Sequence, residues 1–228
     1  MENYTQNNIN LGSNKKYKLE IKIISDPICP WCIIGYKRLE KALNFYDNNV
    51  DTKVIWCPYE LNPSMPKGGK NIDHHVADIH NWSMEYIRSL RKKITNIGAE
   101  EGFTFNYSKD MQTYNTRAAH KLLYWSKNSG KQTELSLKIF DYFFTHNKSI
   151  EDFNVLLSIT EEVELDVATA QKVLNDEYYD IKVEEEEKKW DNFGIKSVPS
   201  IFINGQYIGG GRTVDEFKSI ISKILYND

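Results

Sequence analysis

Strand-like patterns in this 228-residue chain are confined to its two ends, and everything from about residue 70 to residue 193 reads as helix. A sheet must therefore be assembled from segments far apart in sequence, with the helices carried as an insertion between them. Rules for connecting strands leave few ways to do this.

Residues 18 to 25, KLEIKIIS, alternate, with Leu19, Ile21 and Ile23 on one face and Glu20 and Lys22 on the other. That is the period of a strand. The period then lengthens, and Tyr36, Leu39, Leu43 and Tyr46 form a helical stripe. Residues 51 to 63, DTKVIWCPYELNP, hold a second strand around Val54, Trp56 and Cys57, ended by Pro58 and the turn-rich NPSMPKGG. This spacing is that of a βαβ unit and predicts a parallel strand pair.

The other end returns to strands. SVPSIFING is short and β-rich, Asn204-Gly205 is a hairpin turn signal, and QYIGGG is the expected return strand. A last helix carries Val214, Phe217, Ile220, Ile221 and Ile224. Between the ends, Val76, Ile79, Ser83, Ile87, Leu90, Ile94 and Ile97 predict one long helix closed by Gly102. Asn115 is the expected N-cap of a helix carrying Ala119, Leu122 and Leu123, closed by Gly130. Leu135, Ile139, Phe140 and Phe143 mark a third helix, and Val155, Leu156 and Ile159 a fourth. Asp166 caps VATAQKVL, and DIKVEEEEKKWDNFG runs to a stop at Gly194. Its glutamates at 184 to 187 are answered by Lys188 and Lys189 at helical spacing, a solvated face. The order β-α-β, helices, β-β-α is a thioredoxin-like α/β fold with a large all-helical insertion. It divides into a flexible arm at 1–16, a first core part at 17–63, the insertion at 64–193 and a second core part at 194–228.

A net charge of −3 offers no basic surface to nucleic acid or an anionic membrane, so neither is an expected partner. No apolar run is long enough to span a bilayer, and the Asn-rich N-terminus lacks the apolar stretch of a secretory signal. The expected location is the cytoplasm. Cysteine is sparse, with only Cys29, Cys32 and Cys57. In a reducing compartment a close pair points to chemistry rather than to a structural staple.

That pair, Cys29-Pro30-Trp31-Cys32, falls at the strand-to-helix junction. Pro30 suits a first helical turn, where its missing N–H costs nothing. Cys29 then sits at the helix N-terminus, whose free N–H groups and partial positive charge favour a thiolate. Cys32, one turn further in, is placed to resolve a mixed disulfide formed at Cys29. Two buried thiols without chemistry are the plain alternative. A metal is disfavoured: a structural zinc needs four ligands, and His74, His75 and His80 have no matching partners in sequence. Val198-Pro199 opens the strand after the insertion. A cis bond there would expose the Val198 backbone to an extended substrate, although proline at a strand start is often only an edge device.

The stretches SDPICPWCIIGYKRLEKAL, PYELNPSMP, AEEGFTF, NTRAAHKLL, GIKSVPSIFING and the final DEF helix together resemble the DsbA-like thioredoxin-fold oxidoreductases. More narrowly they resemble the cytoplasmic FrnE-type branch, over residues 18 to 226. The resemblance implies a thioredoxin core with a helical lid and thiol–disulfide exchange, with Cys29 the nucleophile and Cys32 the resolving thiol. It makes Pro199 the cis-proline and Val198 its substrate-facing neighbour, with Pro30 and Trp31 beside them. Asn115 and His120 match a helix-borne motif that faces the active-site groove in such proteins, helix packing being the plain alternative for His120. Two departures stand out. Ile23 occupies the place where many thioredoxin-fold enzymes bury a carboxylate, which leaves Asp26 or bulk water to take that role. Cys57 stands where related sequences usually carry arginine and is expected to be a half-buried strand residue.

The expected substrates are protein or peptide disulfides, with glutathione a candidate co-substrate and no metal or organic cofactor required. The oligomeric state is left open. Kappa-type glutathione transferases and 2-hydroxychromene-2-carboxylate isomerases resemble the same architecture but typically place serine at the Cys29 position, so a glutathione-dependent isomerase or transferase is the first alternative. A non-catalytic, redox-responsive binding protein is the second.

Overall fold

A computed structural model describes residues 16–226; the arm expected at 1–16 lies almost wholly outside the described residues. Strand β1 (Tyr17–Ser25), helix α1 (Pro30–Asn44) and strand β2 (Val50–Pro58) form the first unit. β1 and β2 pair in parallel, with Ile23 opposite Trp56. The second unit is β5 (Ser200–Ile203), β6 (Gln206–Tyr207) and α9 (Val214–Tyr226). β5 adds antiparallel to the free side of β1, giving the order β2-β1-β5-β6. Asn204 and Gly205 both have positive φ, at 48° and 81°, as a two-residue hairpin turn requires. The return strand stops at Tyr207, shorter than QYIGGG suggests.

β1 is central. Leu19, Ile21 and Ile23 are buried in the same core as Leu39 of α1 and Phe217 and Ile221 of α9. Ile24, with Ile55, Cys57 and Phe202, packs on the opposite face under Trp190.

The intervening segment holds α2 (Ile72–His80), α3 (Met84–Glu101), α4 (Arg117–Trp125), α5 (Gln132–Phe144), α6 (Phe153–Glu162), α7 (Val167–Asn175) and α8 (Glu177–Asn192). The single long helix expected over 76–97 is in fact α2 and α3. Asn81 takes the left-handed conformation at φ 53° and stops α2, and the Ser83 hydroxyl accepts from Tyr86 N–H to start α3. The apolar stripe stays nearly in phase across the break, which is why periodicity runs the two together. The segment also holds one short antiparallel pair, β3 (Lys70–Asn71) with β4 (Gln112–Thr113), too brief to show a strand period. Thr116 is the residue immediately before α4 but its side chain makes no cap bond; Asn115, one residue earlier, accepts from Arg117 N–H at 2.9 Å and so does the capping.

These helices share one apolar core with the sheet, centred on the fully buried Phe140, Phe143 and Phe144. α4 and α5 cover β2, whose outer edge would otherwise present unpaired backbone groups. Gln132 deals with this edge: its side chain accepts from Trp56 N–H at 3.0 Å and donates to Trp56 C=O at 2.9 Å. The Trp56 indole N–H donates to the Thr133 hydroxyl at 3.2 Å. Gln132 also donates to Leu123 C=O of α4 at 2.8 Å, so the same side chain seats both α4 and α5 on β2.

Candidate active site

The chain leaves β1 at Ser25-Asp26, turns, and enters α1 at Pro30. Cys29 is the N-cap residue, in extended conformation, and its backbone N–H donates to Asp26 C=O at 2.9 Å. Its side chain makes no hydrogen bond to the N–H groups of the first turn, but it stands at the positive end of the α1 dipole. The Cys29 thiol reaches across to Val198 C=O at 3.7 Å. Trp31, between the two cysteines, is 38% exposed. Both cysteines are free thiols and both are buried, Cys29 at 4% exposure and Cys32 at 0%. Burial pushes the Cys32 thiol well up, the adjacent Cys29 sulfur adds to this, and the Ser25 hydroxyl works against it. Cys32 is thus the thiol that resists losing its proton.

The Val198–Pro199 bond is cis, and both residues are half-buried opposite the cysteine pair. Two glycines hold Pro199 there. A Cβ on Gly35 of α1 would meet Gly210 C=O at 2.8 Å and the Pro199 ring at 3.3 Å. A Cβ on Gly210 would meet Pro199 C=O at 2.1 Å. Backbone packs on backbone at this point, and only glycine leaves room for it.

Behind the cysteines lies a cluster of charged groups. Asp26 is fully buried, and its carboxylate accepts from Leu61 N–H at 2.6 Å and Ile28 N–H at 3.4 Å. His120 of α4, 1% exposed, brings Nε2 to 3.7 Å from Asp26 Oδ1. Beyond it, Arg117 Nη2 lies 2.5 Å from Glu60 Oε2 and 3.5 Å from Glu187 Oε2. Burial raises the Glu60 carboxyl, and His120 and Arg117 pull it back. Asn115 uses both ends of its amide within the protein, donating to Pro63 C=O at 3.0 Å and accepting from Arg117 N–H at 2.9 Å. This ties α4 to the loop that carries Glu60 and Leu61.

The structure therefore gathers Cys29, Cys32, Val198 and Pro199 at one end of the sheet and sets His120 behind them, with Asn115 one layer further back as a clamp. Cys57 is buried in the second core cluster, and burial pushes its thiol up to about 12, with Glu186 adding to the effect. The three histidines of α2 do not converge: His75 Nε2 bonds Asn62 Oδ1 at 2.9 Å, and His80 stacks on Trp82. Sequence reasoning singled out Asp26 but missed Ser25, Glu60, Arg117 and Glu187. For Ser25 the adjacency to the C-x-x-C turn was a signal; for the others only the fold brings them together. Gly35 and Gly210 had no signal beyond being glycines near the two motifs.

The model of the DSBA-like thioredoxin domain family matches residues 20–222. The Bacillus subtilis (strain 168) protein YwbO is 26% identical over 205 residues, covering 90% of this chain and 96% of its own. Among solved structures, a probable DsbA oxidoreductase from Streptomyces coelicolor superposes with TM-score 0.83 at 23% identity, covering 92% of this chain and 91% of that one. A 2-hydroxychromene-2-carboxylate isomerase superposes at TM-score 0.70 and 13% identity, covering 91% and 97%. The cytosolic disulfide reductase DsbM from Pseudomonas aeruginosa superposes at TM-score 0.64 and 15% identity, covering 92% and 100%, and it is also known with GSH. No helix among the described residues is long and apolar enough to cross a membrane.

Proposed function

Because this chain belongs to the DSBA-like thioredoxin domain family, we propose that it is a thiol–disulfide oxidoreductase working through Cys29 and Cys32. The observation that carries this reading is the asymmetry of the pair: Cys29 caps α1 and touches the Val198 carbonyl, whereas Cys32 is sealed one turn behind it. In the reducing direction the Cys29 thiolate attacks a substrate disulfide RS–SR′, forms Cys29–S–S–R and releases R′S⁻. Cys32 then attacks the Cys29 sulfur, the bond to R breaks, and RS⁻ leaves. Two protein thiols are oxidised and one substrate disulfide is reduced. The reverse cycle inserts a disulfide.

The substrates are protein or peptide disulfides, docked along the backbone of Val198 beside Trp31 and Pro30. Glutathione is the co-substrate that recharges the pair, and the cytoplasm is the compartment. The likeness to a cytosolic disulfide reductase known with GSH supports both points. The motifs SDPICPWC and PYELNPSMP support the narrower FrnE-type assignment. Potentials on this fold run from roughly −270 to −120 mV, so a measured value decides reductase, isomerase or oxidase.

The test is titration of the purified protein against glutathione buffers, with mass spectrometry locating the bond. A reversible Cys29–Cys32 disulfide is the expected result. The isomerase likeness favours one second reading, a glutathione-dependent isomerase or transferase. Tight glutathione binding with no intramolecular disulfide, and full turnover in Cys32→Ser, would move the assignment there.

A further inference from the structure

Helix α3 lends a basic stripe to a cavity that no residue of the cysteine site lines. Arg88, Arg91, Lys92 and Thr95 recur at i, i+3, i+4 and i+7 and so share one face, while Ile87 and Ile94 on another side are buried. The cavity holds about 730 Å³, within the range of small-molecule sites. Three segments of the insertion line it: the start of α2, α3 itself, and the chain from Phe105 to Asp110. Four cations, Arg88, Arg91, Lys92 and Lys109, stand there with only two carboxylates, Asp73 and Asp110. Arg91 Nε lies 2.5 Å from Asp73 Oδ1, whereas Arg88, Lys92 and Lys109 form no ion pair among the described residues. In a chain of net charge −3, a local excess of positive charge makes this wall a distinct place for an anion.

Arg91 is built into the wall rather than lying on it. Its side chain is 14% exposed, its guanidinium lies 4.6 Å from the centre of the Tyr107 ring, and that ring stacks in turn on Phe105. Asp73 and the ring hold the guanidinium in one orientation, so little side-chain freedom is left to lose on binding. Its Nη groups make no hydrogen bond among the described residues. A fork held this way matches a carboxylate or a phosphate through two parallel N–H···O bonds. Arg88 and Lys92 beside it on α3, and Lys109 from the 105–110 segment, supply charge for a second acidic group. Thr95, Asn106 and Ser108 add hydroxyl and amide groups to the same lining. We propose that this cavity binds a small hydroxylated polyanion, with two or more carboxylate or phosphate groups, seated on Arg91. Such a ligand joins α2, α3 and the 105–110 segment and so clamps the helical insertion. The site stands apart from the dithiol reading, because Cys29, Cys32, Val198 and Pro199 do not line it.

Isothermal titration calorimetry of the full chain at low salt tests this, with citrate, fructose 1,6-bisphosphate and acetate as probes. Citrate or fructose 1,6-bisphosphate should bind with a dissociation constant below about 1 mM. The melting temperature should rise with the concentration of the probe that binds, and added sodium chloride should weaken it. Binding of citrate alone identifies a polycarboxylate as the ligand, and binding of the bisphosphate alone a phosphorylated one. Arg88→Ala and Lys92→Ala change exposed positions, so each should fold as the wild type does and bind roughly 10-fold more weakly, the size of one charged hydrogen bond. Arg91→Lys keeps the charge but loses the fork and should weaken binding at least as much. If Arg91→Lys does not fold, the other two variants decide. The proposal is overturned if neither polyanion reaches that affinity, or if acetate matches them. It is also overturned if Arg88→Ala and Lys92→Ala both bind like the wild type, since the anion then sits elsewhere.

Discussion

Gly210→Ala probes the packing that holds Pro199 against α1. The added Cβ would lie 2.1 Å from Pro199 C=O and 2.5 Å from its ring. An ordinary carbon–oxygen contact is about 3.3 Å, so the two backbone segments must part by roughly 1 Å. They have little freedom to do so. Pro199 also leans on Gly35, and Ser200 just beyond it is already laddered to Ile24. Overpacking of this kind costs about 1–3 kcal/mol, and the backbone clash puts this case at the upper end. With a urea m value of about 3 kcal/mol/M, the unfolding midpoint falls by about 1 M. Gly211→Ala is the matched control, because a Cβ there meets nothing within 4 Å; it should shift stability by no more than about 0.5 kcal/mol. Urea melts followed by circular dichroism give both numbers. The reasoning fails if Gly210→Ala melts within about 0.5 kcal/mol of wild type, or if Gly211→Ala costs as much.

Iodoacetamide at neutral pH, mapped by mass spectrometry, should modify Cys29 first, because burial disfavours the thiolates of Cys32 and Cys57; earlier labelling of either of those refutes the assignment. Burial raises the Glu60 carboxyl above its ordinary 4.5, so the folded state holds that proton longer than the unfolded chain. Stability from this group is therefore complete below about pH 4.5 and is lost as pH rises through its folded value. Glu60→Gln should flatten that part of the stability–pH curve, and a decline as steep as wild type would count against it. Phe140→Ala removes a fully buried ring packed on Trp56 and Phe144 and should cost about 3–5 kcal/mol in a denaturant melt. A loss under about 1 kcal/mol would mean that this core is not the shared one described.

Much of the fold is legible locally. KLEIKIIS alternates because β1 has one face toward α1, and Asn204-Gly205 marks its hairpin because both residues tolerate positive φ. The N-caps of α3 and α7, Ser83 and Asp166, are also local, since each side chain bonds a backbone N–H within its own first turn. The misreadings share a cause as well. A helical stripe that keeps phase hides the break at Asn81, and a ladder of two residues on each strand has no period to detect. Asn115 reads as a cap in sequence, and its amide oxygen does accept from Arg117 N–H at the start of α4; what the sequence did not show is that its NH₂ also pins the loop at Pro63.

The sequence by itself determined that Cys29 begins a helix with Cys32 one turn behind it, because covalent spacing and the strand-to-helix change of period are properties of neighbouring residues. It likewise determined that the sheet is split between the two ends of the chain. Only the tertiary structure decided what surrounds the sulfurs. His120 reaches Asp26 because Gln132 and Trp56 seat α4 and α5 on the edge of β2, and Pro199 reaches Cys29 because Gly35 and Gly210 let two backbones touch. Contacts of this kind join residues far apart in the chain through packing and the satisfaction of buried polar groups, and no local pattern records them.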